Sequence, residues 1–294
     1  GLTANHIEWI AGIINGTGNF ILTEMRDKGR DFADVLAEAQ ALGYAEADPT
    51  FDIEGIDAAH KLAILASIAF GIPLQFDKVY TEGISRITRE DVEYAEQLGY
   101  RIKHLGMTRQ TAEGIELRVH PTLIPNRRLI ANVNGVMNAV LVHADAVGPT
   151  LYYGAGAGAE PTASAVVADI VDVVRTLTVD PENRVPHLAF QPDSLSDIPI
   201  LSMDEVETAY YLRLCVADRP GVMAELTRIL GDHGISIEAL LQKEPSETGQ
   251  QVPVILLTRE IREKHMNKAI QQIESLDSVE GQVTRIRLEH LRSN

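Results

Sequence analysis

Six side chains between positions 46 and 61 could do acid and base chemistry together: the carboxylates of Glu46, Asp48, Asp52, Glu54 and Asp57, and the ammonium of Lys61. Asp57 and Lys61 stand four residues apart at the head of the apolar run that continues to Phe70. That spacing predicts a helix with both groups on one face, close enough to pair. A lysine beside a carboxylate in a partly buried place can pass a proton to a substrate oxygen or take one back, and fixed carboxylates can hold a ligand's ammonium and hydroxyl groups. Acidic residues also favour helix N-termini, where they complement the dipole, and that suffices for Asp52 and Glu54 ahead of Gly55. It does not explain Lys61 facing Asp57 in a largely apolar stretch, so a site and a charged helix start both remain open here.

Such groups need rigid elements to hold them. Ile7–Ile14 suits a strand, the glycines in Asn15–Asn19 break it, and Phe20–Met25 resumes with helical spacing. Amides at such a helix start can hold an anion. Asp31–Leu42 reads as a helix stopped by Gly43 in a left-handed conformation. From Val79 the pattern becomes sheet-like, with antiparallel strands at 101–108 and 115–124 around Glu113-Gly114, and further strand sequence at 132–142 and 151–153. The run Gly154–Ala159 leads into a helix over 162–177; it lacks the G-x-G-x-x-G spacing of a dinucleotide loop, which favours close packing as its role.

Residues 180–202 are rich in Pro, Asp, Ser and Asn without periodicity and read as a linker. After it come a strand at 208–216, the turn Asp218-Arg219-Pro220-Gly221, a helix at 222–233, a strand at 235–242, a turn around Glu247-Thr248-Gly249, a strand at 252–258, a helix at 264–275 and a strand at 281–288. This is the ferredoxin-like βαββαβ order. The expected fold is therefore α+β, a mixed or antiparallel sheet with helices over 1–180, a linker over 181–206, and the ferredoxin-like unit over 207–294.

A formal charge of −16 argues against nucleic acid or an anionic membrane as partner. The single cysteine, Cys215, excludes an intramolecular disulfide and any multi-cysteine metal site, and its alternating apolar run predicts burial. His60, His104, His120 and His143 lack metal-ligand spacing and are expected to be structural or surface residues, so no metal is anticipated. The longest apolar stretch, Leu62–Ile72, is well short of the roughly 20 residues that span a bilayer, and the start carries no signal-peptide pattern. A reducing, cytoplasmic setting is the expectation.

Three ordered segments, Gly12–Leu22, Glu38–Pro49 and Asp52–Lys61, together resemble homoserine dehydrogenase, and Gly154–Gly158 followed by Pro161-Thr162-Ala163-Ser164 extends the likeness. The resemblance implies NAD(P)-dependent interconversion of aspartate-4-semialdehyde and homoserine, a step toward threonine, isoleucine and methionine. It implies that Lys61 gives the proton to the aldehyde oxygen and Asp57 orients it. It assigns substrate binding to Glu46, with Asp52, Gly16, Thr17 and Tyr44, and approach of the nicotinamide cofactor, NADP or NAD, to Gly43 and Gly158. Residues from about Glu207 resemble an ACT domain through their element order and Asp218-Arg219-Pro220-Gly221-Val222. That likeness implies threonine feedback through Asp218, Pro220 and Gly221, and an assembly of two or four copies.

Gly18 stands where the family often has Thr. The family's dinucleotide-binding domain, which would hold most of the cofactor, is not found in these 294 residues. The expectation is a portion of a longer enzyme that alone neither binds cofactor tightly nor turns over. A protein of another class, an amino-acid-binding regulator with a catalytically silent first domain, is the competing expectation.

Overall fold

A computed structural model describes residues 2–177, 179, 184–186, 188–242 and 251–292. The first strand, β1 (Ile7–Ile13), lies inside the sheet, antiparallel to β3 (Tyr100–Gln110) on one side and β5 (Met137–Ala144) on the other. β3 turns back into β4 (Ile115–Pro125) with Gly106 opposite Val119, the antiparallel pair the sequence predicts. β5 leads to the edge strand β6 (Gly148–Ala155). Beyond β4 the same sheet continues through β11 (Val279–Leu288), β7 (Glu207–Ala217), β9 (Gln251–Thr258) and β8 (Ile237–Gln242). The short β2 (Tyr80–Thr81) pairs parallel with β4, and β10 (Ile261–Arg262) pairs with β7.

The helices are α1 (Gly16–Lys28), α2 (Phe32–Ala41), α3 (Thr50–Ile53), α4 (Ile56–Phe70), α5 (Arg89–Gln97), α6 (Ala159–Thr176), α7 (Val222–Asp232) and α8 (Glu263–Glu274). In α4 the buried residues Ala58, Ala59, Leu62, Ala63, Ala66 and Phe70 recur with the helical period, so one face packs on β3 and β4 and the face bearing Lys61 stays open. Gly71, at φ +62°, ends the helix in the left-handed region.

The C-terminal unit shows the expected βαββαβ order, with α7 and α8 packed on one sheet face through Leu212, Leu214, Leu226, Ile229, Met266 and Ile273. Its other face is not left to solvent. Ala209, Tyr211, Leu257 and Ile286 share one core with Phe20 and Leu22 of α1 and with Val92 and Tyr94 of α5. Helix α5 lies in a region expected to be sheet-like. It starts at a capping box, in which Thr88 and Asp91 satisfy each other's backbone amides, and Tyr211 Oη and Arg213 Nε both donate to Asp91 Oδ1, at 3.1 and 2.6 Å.

Three other expectations need correction or limits. The strand sequence at 132–142 is a strand only from Met137, because Leu129–Asn132 closes into a 3₁₀ turn. Cys215 is exposed rather than buried: the alternation turns Leu214 and Val216 into the core and Cys215 outward, where its Sγ donates to Gln251 Oε1 at 3.0 Å. The turn expected at Glu247–Gly249 lies outside the described residues. Residues 190–201 run along the first part of the chain: Phe190 lies over Gly71, Ser196 N donates to Gly71 O at 2.8 Å, and Ile200 bridges to Ile115. Among the described residues no helix is long and apolar enough to cross a membrane.

Candidate active site

The turn from β1 into α1 holds a line of hydrogen-bonded polar groups. Asn15 is the N-cap of α1, its Oδ1 accepting from Gly18 N at 2.8 Å. Its Nδ2 donates to Asp52 Oδ1 at 2.8 Å and to Asp57 Oδ2 at 2.9 Å. Lys61 Nζ donates in turn to Asp57 Oδ2 at 2.7 Å and to Ile14 O at 3.1 Å. Strand β1, the short α3 and the head of α4 thus converge on one cluster, and the side chain of Lys61 is 49% exposed. An open i,i+4 pair of this kind contributes about 0.3–0.5 kcal/mol to stability. A stability role is therefore a small part of what the arrangement can do.

The other expected site residues divide. Thr17 Oγ1 donates to Tyr44 O at 2.6 Å, which ties the start of α1 to the chain leaving α2 at Gly43, φ +74°. Gln40 Nε2 donates to the carbonyls of Glu46 and Ala47 at 3.0 and 3.3 Å and shapes that loop, while the Glu46 carboxylate is exposed and, among the described residues, makes no hydrogen bond or ion pair. Asp48 Oδ1 accepts from Thr50 Oγ1 and Thr50 N at 2.7 and 3.1 Å; these bonds hold its carboxyl below the usual range and start α3. Asp218, Pro220 and Gly221 sit in an exposed turn between β7 and α7, with Gly221 at φ +96°.

Two residues given no role by the sequence border these groups. Asn15 caps α1 because the helix begins at Gly16 rather than at Phe20, and an Asn ahead of a helix is itself a cap signal. Asn138, on β5, lies against both Gly16 and Gly156: a Cβ on Gly16 would stand 3.5 Å from Asn138 Oδ1, and one on Gly156 would overlap its amide nitrogen at 2.1 Å. Its Oδ1 is buried without a partner among the described residues. The glycine run 154–158 therefore borders the start of α1, and Gly158 adopts φ +115° with the Pro161 ring 3.6 Å from a Cβ position. A Cβ at Gly43 or Gly154 would meet nothing within 4 Å, so both positions leave room for a flat ring such as a nicotinamide to approach the backbone.

Beneath this surface, His104 of β3 is buried under Gly18 and Gly55 and donates from Nε2 to Glu82 O at 2.9 Å; burial lowers its pKa. Beside it Lys103 is 1% exposed, its Nζ donating to Val133 O at 2.6 Å and to Asn19 Oδ1 at 3.1 Å. Burial, with repulsion from Arg26 and Arg101, pushes its pKa down to about 7. The folded value lies below the unfolded value of 10.5, so the unfolded chain binds the extra proton between them and this group's contribution to stability rises with pH through that window. Compared with Lys103→Met, the unaltered protein should gain about 1 kcal/mol of unfolding free energy per pH unit from pH 7.5 to 9.5, measured by urea titration. Parallel curves for the two proteins would show that Lys103 does not titrate in that range. Among the described residues no group of three or more His, Cys, Asp or Glu is placed to hold a metal ion.

Residues 1–171 match the homoserine dehydrogenase domain and residues 210–275 the ACT domain. The chain is 70% identical over 291 residues to the homoserine dehydrogenase of Pseudomonas aeruginosa, covering 99% of this chain and 67% of that protein. The crystal structure of a homoserine dehydrogenase from Thiobacillus denitrificans superposes with a TM-score of 0.94 at 71% identity, over 99% of this chain and 66% of that one. A hyperthermophilic archaeal homoserine dehydrogenase in complex with NADPH superposes with a TM-score of 0.51 at 27% identity, over 60% of this chain and 50% of that one. The chain spans about two thirds of the length of its high-identity relatives. With Gly16, Thr17, Asp52, Asp57 and Lys61 all within the matched segment, the chain belongs to the homoserine dehydrogenase family and carries an ACT domain after the homoserine dehydrogenase domain.

Proposed function

We propose that this protein interconverts L-aspartate-4-semialdehyde and L-homoserine with NADP or NAD, serving threonine, isoleucine and methionine synthesis in the cytoplasm. The observation that carries the reading is the line from Asp52 through Asn15 and Asp57 to a half-exposed Lys61. When bound, the nicotinamide cofactor supplies hydride to the aldehyde carbon or accepts it from the alcohol carbon. Lys61 gives its ammonium proton to the carbonyl oxygen as that oxygen becomes an alcohol, and takes it back in the reverse direction. Asp57, anchored by Asn15, aims Nζ and balances its charge. The free carboxylate of Glu46, with Asp52, meets the substrate's ammonium; amides of Gly16 and Thr17 at the start of α1, beside Tyr44, meet its carboxylate.

Gly43 and Gly158 would border the nicotinamide, where the absence of a side chain allows close approach. The ACT turn at Asp218, Pro220 and Gly221 would take threonine as effector. A second copy along the open edge of β6 would cover the exposed Tyr152 and Tyr153, giving a dimer or tetramer. The test is homoserine-dependent reduction of NADP or NAD by the protein as it occurs in the cell, with and without threonine. Reduction that threonine inhibits is expected; no reduction with either cofactor would overturn the assignment, and the amino-acid-binding regulator would then be the better reading if calorimetry shows threonine bound.

A further inference from the structure

The guanidinium of Arg287, on β11 of the C-terminal unit, is fully buried where that unit meets the first part of the chain. On its own unit it is held by Glu263 of α8, with Nε donating to Oε2 at 2.7 Å. Across the junction Nη1 donates to Glu82 Oε2 at 2.8 Å, Nη2 donates to Tyr80 Oη at 3.0 Å, and the guanidinium lies over the Tyr80 ring, 4.9 Å from its centroid. Tyr80 Oη completes the cluster by donating to Glu82 Oε2 at 2.8 Å.

The backbone that carries Glu82 is pressed against the site. Glu82 N donates to Val119 O at 2.8 Å, and Glu82 O accepts from His104 Nε2 at 2.9 Å. Ile84 N donates to Ile53 O at 2.9 Å. A Cβ on Gly83 would fall 2.7 Å from Glu54 Cα, and one on Gly55 would fall 2.9 Å from His104 Cε1. No room is left for the Ile53–Gly55 turn to shift unless residues 82–84 or His104 shift with it. That turn separates Asp52 from Asp57, the two carboxylates that share the Asn15 amide.

We infer that Glu82 is a positioning residue: gripped by Arg287, it lets the C-terminal unit set the place of the Ile53–Gly55 turn and with it the spacing of Asp52 and Asp57. The kinetic consequence rests on the reaction proposed above, whereas the geometric one does not. Any movement of β11 that loosens Arg287 from Glu82 is thereby felt at the amino-acid end of the substrate before it is felt at the cofactor.

The test uses the protein as it occurs in the cell with Glu82→Gln, which keeps the side chain's shape and leaves Arg287 its partner Glu263. Amide hydrogen exchange at Ile53–Gly55, whose amides donate to Pro49 O, Thr50 O and Asp52 O, should quicken by about tenfold, and the KM for homoserine should rise by about tenfold while the KM for cofactor stays unchanged. Unchanged exchange at those amides, or a loss of kcat with both KM values intact, would overturn the inference. Tyr80→Phe removes the bridging hydroxyl with little change of volume and should move both readouts the same way by a smaller factor; it decides the matter if Glu82→Gln does not fold. Should the unaltered protein fail to oxidise homoserine, the proposed reaction falls and the exchange measurement alone decides the role of Glu82.

Discussion

Lys61→Ala should lower kcat for homoserine oxidation by about 10²–10⁴-fold, the range that a positioned proton-transfer group supplies. The folded protein should hardly notice: the lysine is half exposed and its pair with Asp57 contributes about 0.5 kcal/mol or less, so thermal unfolding of variant and unaltered protein should nearly coincide. That separation makes the result interpretable, because a lost fold cannot imitate it. Lys61→Arg sharpens the test. A guanidinium keeps the charge beside Asp57 but does not release its proton near neutral pH, so the arginine variant should be nearly as slow as the alanine variant while binding homoserine normally. Turnover by Lys61→Ala at the unaltered rate would remove Lys61 from the proton-transfer role.

Much of this site was legible because its signals are local. The four-residue spacing of Asp57 and Lys61 and the apolar period of α4 specify their geometry without knowledge of the rest of the fold, and the structure pairs them at 2.7 Å. Gly43 shows its left-handed turn in the same local way. Asn138 and His104 carry no such signal. Each reaches the site only because β3 and β5 flank β1 in the sheet, a pairing set by contacts more than 90 residues apart in the chain. The packing of the C-terminal unit met a similar limit. Its βαββαβ order is visible in hydrophobic period, but the apolar residues on its second face say only that something covers them; that the cover is α1 and α5 follows from tertiary packing. α5 itself was masked because Arg89–Gln97 is short and polar, and its identity rests on the Thr88 and Asp91 cap rather than on an apolar stripe.

Arg118→Met should destabilise the protein by about 3–5 kcal/mol, the cost of leaving buried charge without its partner. Arg118 is 0% exposed on β4 and donates from Nε and Nη2 to Glu116 Oε2 at 3.0 and 2.8 Å, from Nη2 also to Glu289, and from Nη1 to His120 Nε2 at 2.8 Å. Glu289 follows β11, so this cluster fastens the C-terminal unit to a strand that pairs with it at only Arg287–Thr122 and Leu288–Leu123. Burial alone would raise the Glu289 carboxyl, but Arg118 and Arg109 reverse that and hold it below its ordinary range. In the unaltered protein this contribution is therefore complete above the ordinary carboxylate range and is lost as pH falls through the lowered value. Without Arg118 the balance tips toward burial, so Glu289 should take up a proton at higher pH and the deficit of the variant should shrink as pH falls from 7 toward 4. Glu289→Leu introduced together with Arg118→Met should recover part of the loss at pH 7, since it removes a buried carboxylate left with only its longer contact, 3.3 Å, to Arg109. Urea unfolding of the single and double variants at both pH values separates the causes: a deficit that is constant with pH and untouched by Glu289→Leu would mean that packing around the guanidinium, not its charge, holds the two parts of the sheet together.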